Sequence, residues 1–198
     1  MDRASIKQIE DLCELREAKK DKSPEEIAEL MVMYNYLGRT IEEESVDRED
    51  ESFKYYVKAA DTGYELVAAN PDFAPIAIMA SIKCGAYCKR HDRDGEKFFD
   101  RALEIIESPA IQNDPPRLAE AYFNLGNAYV FSDLDAATKY LKKSVDIAAP
   151  LLLDGDNSLE EIFMLASEIL INQYDRSGDA AAAEELEKLA EQIEMKFD

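Results

Sequence analysis

Apolar residues recur along most of the chain at the three- and four-residue spacing of amphipathic helices, and no segment alternates as a half-buried strand does. Gly, Pro, Asp and Asn interrupt this pattern at intervals and indicate turns. Helices are predicted near 5–20, 24–44, 47–70, 73–90, 94–107, 115–131, 134–148, 158–176 and 179–197. The pattern predicts an all-α protein of about nine antiparallel helices.

The lengths of the connectors group these helices into pairs. Residues 1–22 are predicted to form a capping helix that packs through Ile6, Ile9, Leu12 and Cys13. Residues 23–198 are predicted to form a single domain. Its helix pairs are expected at about 24–70, 73–107, 115–150 and 158–197.

A short pattern recurs on the first helix of the predicted pairs. The stretch AYFNLGNAY, residues 121–129, places Tyr122, Leu125, Gly126 and Tyr129 on one helical face. The same offsets hold Tyr34, Leu37, Gly38 and Ile41, then Ser81, Cys84, Gly85 and Cys88, then Ser167, Leu170, Ile171 and Tyr174. Glycine inside a helix costs about 1 kcal/mol relative to alanine. Its recurrence therefore predicts close contacts between helices.

The second helix of each pair carries small and large apolar residues in a matching order. After Gly126, the large position is Leu141 and a stop is expected at Pro150. After Gly85 the large position is Phe99, and after Gly38 the best match is Tyr64.

Together these residues resemble the tetratricopeptide repeat (TPR) family over roughly residues 25–198. The copy at 119–150 is the closest, with Tyr122 where the family usually has Trp. The copies here lie more than 40 residues apart, whereas the family repeat is about 34 residues. The resemblance implies an α-α superhelix, a TPR-like solenoid. It also implies a non-catalytic scaffold that binds a protein or peptide on its concave face.

The resemblance also implies which side chains line that face. The predicted groove residues are Asn35, Arg39, Lys89, Arg90, Phe123, Asn127, Asn172 and Arg176. Asn127 and Asn172 occupy equivalent positions in adjacent copies. An Asn amide both donates and accepts hydrogen bonds, as an extended peptide requires. The alternative is that Asn occurs there because the positions are polar and exposed.

Evidence for catalysis or a cofactor is weak in the sequence. Cys84, Cys88 and His91 share a helical face and carry metal-ligating atoms. However, the two cysteines occupy the apolar positions of the repeat, where buried Cys acts as a small hydrophobe. Phosphate-binding, nucleotide-binding and hydrolase motifs do not occur. We expect no metal, no cofactor and no enzyme activity.

Charge limits the choice of partner. The formal net charge is −20, with −7 in residues 1–50, −3 in residues 51–150 and −10 in residues 151–198. An anionic surface repels nucleic acid and anionic lipid, so neither is an expected partner. The acidity serves solubility, or it attracts a basic protein or peptide. Both interpretations remain open at this point.

Two alternatives to a peptide-binding groove also remain open. The helix at 179–197 carries an apolar stripe that either caps the domain or supports self-association, giving a monomer or weak homodimer. A 14-3-3-like phosphopeptide binder is also acidic and helical, although its Arg/Arg/Tyr cluster is not recognisable. The start, MDRASIKQIEDL, lacks the apolar core of a secretion signal. With three cysteines, this predicts reduced thiols in a cytoplasmic protein.

Overall fold

The computed structural model describes residues 3–44 and 46–197, and within these ranges it contains helices and turns but no strand. The helices are α1 Arg3–Glu17, α2 Pro24–Glu44, α3 Glu49–Val67, α4 Ala74–Arg90, α5 Glu96–Ile106, α6 Pro109–Gln112, α7 Pro115–Tyr129, α8 Leu134–Asp154, α9 Glu160–Ser177 and α10 Ala180–Phe197. The predicted all-α class is confirmed. In the described ranges, no helix combines the length and apolar composition needed to cross a bilayer.

The single-turn helix α6 lies in a segment that the sequence pattern assigns to a connector. The other nine helices follow the predicted ones, with ends shifted mostly by one to three residues. Contacts divide the chain into two compact units, the first ending at Ala110 and the second beginning at Ile111. The first unit contains α1 to α5 and the second contains α7 to α10, and within each unit successive helices pack together.

Local sequence explains where several helices begin. Ser23 Oγ accepts from the backbone N–H of Glu26 at 3.3 Å, while the Glu26 carboxylate accepts from the N–H of Ser23 at 2.9 Å. This reciprocal capping box starts α2, with Pro24 at its first position. The side chains of Asp114 and Asp133 cap α7 and α8 in the same manner.

The recurring glycines mark close contacts between paired helices, as the pattern predicted. A methyl group on Gly126 would lie 2.8 Å from both Cγ and the backbone N of Leu141, and one on Gly85 would lie 2.7 Å from the Phe99 ring. At Gly38 the corresponding neighbour is the ring of Tyr56, at 3.0 Å. The match of the first copy to Tyr64 is therefore wrong by eight positions.

Pro150 does not end α8, which continues to Asp154. A proline inside a helix costs about 3 kcal/mol. The continuation buries Leu152 completely, and Gly155 at φ 101° then provides a left-handed C-cap. Packing of the extra turn and the glycine cap both favour the longer helix over the stop predicted at the proline.

Helix α1 packs against α2 through Ile6 and Cys13, which are both 2% exposed. Leu12, predicted to join this contact, is exposed instead, because it lies beside Cys13 and faces away from the buried stripe. Polar contacts complete the packing. Tyr34 Oη and Lys58 Nζ both donate to the Glu17 carboxylate at 2.5 Å.

The glycine contact predicts an unusual response to alanine. Gly126→Ala would raise helix propensity, yet the new methyl group would collide with the backbone of Leu141, which cannot rotate away. We expect a loss of about 1–3 kcal/mol in the free energy of unfolding, measured by urea denaturation. Gly38→Ala is the matched comparison and should cost less, because it meets only the Tyr56 ring. A more stable Gly126→Ala protein would contradict this assignment.

The Glu17 contacts predict a pH dependence in α1. Partial burial raises the pKa of Glu17, but the hydrogen bonds from Lys58 and Tyr34 outweigh it and hold the pKa below its ordinary value of 4.5. Because the folded pKa is lowered, the stabilisation is present above pH 4.5 and is lost as pH falls through the folded value. Glu17→Gln should therefore weaken hydrogen-exchange protection of residues 6–17 at pH 7 more than at pH 3.

Glu14→Gln is the matched control for this measurement, because Glu14 lies exposed on the same helix. Its substitution should leave protection of α1 nearly unchanged at both pH values. Equal effects of Glu17→Gln at pH 7 and pH 3 would show that the carboxylate does not hold α1 in place.

Candidate functional site

A cavity of about 480 Å³ opens between α2, α3 and α4 of the first unit. We call it the first cavity. It is lined by Asn35, Arg39, Glu42, Glu43, Tyr56, Met79 and Lys83. Two of the predicted groove residues, Asn35 and Arg39, therefore lie together, one helical turn apart on α2.

The charges that line the first cavity neutralise one another. Glu42 accepts from Tyr56 Oη at 2.9 Å and from Lys83 Nζ at 3.0 Å, which connects α2 with α3 and α4. Arg39 Nε lies 3.4 Å from a carboxylate oxygen of Glu43. Burial and the neighbouring Glu42 carboxylate raise the pKa of Tyr56 far above its usual range, so its hydroxyl remains a hydrogen-bond donor.

One polar atom of the first cavity has no partner. The side-chain oxygen Oδ1 of Asn35 is buried, and no donor among the described residues reaches it. A buried acceptor without a donor is unfavourable by about 1–3 kcal/mol. A ligand N–H that hydrogen-bonds to this amide would relieve that penalty.

The other cations assigned to the groove of the first unit lie elsewhere. Lys89 is exposed at the end of α4 and does not line the first cavity. Arg90 donates to the Glu49 carboxylate, and His91 Nε2 lies 3.1 Å from the other oxygen of Glu49. The cavity instead meets α4 at Lys83, six residues before Lys89 and about 9 Å nearer the helix start.

Sequence reasoning missed Met79, Lys83 and Tyr56 as lining residues and left Glu42 out of the predicted groove. Met79 and Lys83 are four residues apart, so they share a face of α4 as Asn35 and Arg39 share a face of α2. That shared spacing was the available signal. It was lost because positions in α4 were transferred by their offset from Gly85.

The predicted groove residues of the second unit do not form one shared cavity. Phe123 is partly buried and packs against the core, while Asn127 and Asn172 are both exposed. Asn172 Nδ2 donates to the backbone oxygen of Glu168 at 2.9 Å, so its amide is partly satisfied within its own helix. Neither Asn lines the first cavity or the second cavity defined below.

Arg176 lines a different cavity, of about 580 Å³, between the first turns of α8 and the end of α9. We call it the second cavity. Its lining consists of Leu134, Asp135, Thr138, Lys139, Gln173, Tyr174, Arg176, Ser177 and Asp179. Apart from Arg176, none of these is a predicted groove residue.

The cysteines occupy core positions, as their place in the repeat predicted. Cys13, Cys84 and Cys88 are all buried and unpaired as free thiols. Burial raises the pKa of the Cys13 thiol to about 11 and raises the pKa of Cys84 further, so both remain protonated at neutral pH. Across residues 3–44 and 46–197, no three His, Cys, Asp or Glu side chains are grouped as metal ligands.

Comparison with known proteins supports the fold alone. A scan against models of protein families gives no match, and a search of curated proteins gives none either. Among solved structures, the chain is similar to the crystal structure of BtubC (BKLC) from P. vanneervenii, with a TM-score of 0.70. The match covers 98% of this chain and 74% of that chain at 18% sequence identity. At this identity, the similarity shows a shared helical fold.

The Tyr56–Glu42 contact predicts a loss of stability when the hydroxyl is removed. Tyr56 is 4% exposed, so Tyr56→Phe leaves Glu42 with one hydrogen bond fewer in a partly buried site. We expect a decrease of about 1 kcal/mol in the free energy of unfolding, measured by urea denaturation. Tyr64→Phe removes an exposed hydrogen bond to Glu104 and should change stability by less than about 0.5 kcal/mol. Equal effects of the two substitutions would argue against the Tyr56–Glu42 contact.

Proposed function

We propose that this protein is a non-catalytic, TPR-like scaffold that binds an extended peptide segment of another protein in the first cavity. The observation that carries the proposal is the buried Oδ1 atom of Asn35, which lacks a donor within the described structure. A backbone N–H of a bound peptide supplies the donor that this atom needs.

The TPR-like assignment is supported by the contacts at glycine. Gly38, Gly85 and Gly126 each meet a large side chain of the following helix in their pair. A small residue opposite a large one is the packing that the repeat pattern in the sequence implied. The solved structure with a shared fold supports a helical architecture and adds nothing about activity.

The chemistry of the first cavity favours binding of a neutral backbone over binding of a strongly charged group. Arg39 and Lys83 each have a carboxylate partner, and Glu42 also accepts from Tyr56. Met79 adds an apolar surface that accommodates a peptide side chain. The ionisable groups are engaged with one another, which supports a binding role over a catalytic one.

As part of this proposal we place the protein in the cytoplasm, where a reducing environment maintains free thiols such as its three buried cysteines. The partner is a protein or peptide. A basic segment outside the cavity would be attracted by the net charge of −20.

Selection from a random peptide display library tests the proposal for a partner of any sequence. Peptides enriched on the wild-type protein should bind Asn35→Ala about tenfold more weakly, because that variant loses the hydrogen-bonding amide. Lys83→Met should also weaken binding, since it leaves Glu42 without its cationic partner. Affinities are measured by fluorescence anisotropy with labelled peptides.

Asn172→Ala is the matched control, because it deletes an exposed amide that bonds within its own helix. It should leave the affinity within about twofold of wild type. Peptides that bind Asn35→Ala and Lys83→Met as tightly as wild type would exclude the first cavity as their site.

A further inference from the structure

The second cavity has polar groups that the protein itself leaves without partners. The side chain of Gln173 lines it and accepts through Oε1 from the hydroxyl of Thr138 on α8. The other end of that amide, Nε2, is buried and has no acceptor among the described residues. The amide is thus held at one end and keeps a free donor at the other.

Two cations line the same cavity without a carboxylate partner. Neither Arg176 nor Lys139 forms an ion pair within 4.0 Å with any described residue, although Lys139 Nζ lies 5.0 Å from the centre of the Tyr140 ring. Other cations of the second unit are paired. Arg117, Lys142 and Lys188 each contact a carboxylate, at 3.2, 3.4 and 2.5 Å.

The two carboxylates that line the second cavity are stabilised by helix N-termini. Asp179 Oδ1 accepts from the backbone N–H of Ala182 at 3.2 Å and caps α10. Asp135 lies in the first turn of α8, where the helix dipole favours negative charge. These carboxylates therefore leave Arg176 and Lys139 available to a ligand.

Apolar surface adjoins these cations. Leu134 lines the second cavity and is 52% exposed. Phe131 precedes it by three residues in the turn between α7 and α8 and is 99% exposed. A large aromatic side chain exposed to this extent is typical of a surface that contacts a partner.

We propose that the second cavity binds an anionic oxygen group, a carboxylate or a phosphate, carried by a peptide with an apolar residue beside it. Arg176 and Lys139 supply charge-assisted hydrogen bonds, Gln173 donates its free N–H, and Leu134 contacts the apolar neighbour. This site is separate from the first cavity and does not depend on the function proposed for it.

Three small peptides test this site: acetyl-Leu-X-Leu-amide with X as Glu, phosphoserine or Gln. Binding is followed by NMR through the side-chain N–H signals of Gln173 and Arg176. We expect saturable shifts with the Glu or the phosphoserine peptide, and binding at least about tenfold weaker with the Gln peptide. Tighter binding of phosphoserine identifies phosphate as the ligand group, and tighter binding of Glu identifies a carboxylate.

Arg176→Gln should weaken binding of the preferred peptide by about tenfold or more. Lys188→Gln is the matched control, because it removes the same charge from an exposed ion pair on α10 and should leave affinity unchanged. The proposal is overturned if none of the peptides gives saturable shifts or if the Gln peptide binds equally well. It is also overturned if Lys188→Gln weakens binding as much as Arg176→Gln, while circular dichroism shows both variants folded.

Discussion

At Gly38, the ring of Tyr56 approaches the α2 backbone so closely that a methyl group would lie 3.0 Å from it. The consequences of this contact reach the first cavity. With the ring held against Gly38, the Tyr56 hydroxyl donates to Glu42 on the same helix, and Glu42 in turn accepts from Lys83 on α4. A packing constraint between two helices thus fixes the position of a polar network across three helices.

Similar close approaches recur where no repeat position predicted them. A methyl group on Gly63 in α3 would lie 2.7 Å from Cβ of Ala77, so α3 and α4 approach each other closely at small residues. Ser144 Oγ donates to the backbone oxygen of Ala119 at 2.8 Å, and Ser52 Oγ donates to that of Gly38 at 2.9 Å. Small residues therefore serve two purposes, because they allow backbones to approach and they satisfy backbone acceptors in the contact.

Helical periodicity predicted the number and approximate ends of the long helices, because each buries one continuous apolar stripe. It failed at Pro150, where burial of Leu152 extends the helix beyond a residue that usually stops one. It also failed for Lys89 and Arg90, whose positions were transferred by offset from Gly85. Such offsets assume a fixed relation between successive helices, which the lengthened spacing of these copies does not preserve. The first cavity depends on that relation, whereas the contact at each glycine is local to its pair.

The two cavities differ in how they use positive charge, and this difference has physical meaning in so acidic a chain. Acidic residues outnumber lysine and arginine by 43 to 23, so a cation readily finds a carboxylate nearby. In the first cavity Arg39 and Lys83 do so, which leaves a nearly neutral surface with an unsatisfied amide oxygen. In the second cavity Arg176 and Lys139 do not, and the unsatisfied group is a donor. An acceptor among paired charges favours a backbone N–H, whereas a donor beside unpaired cations favours an anion, so the two cavities select chemically distinct parts of a ligand.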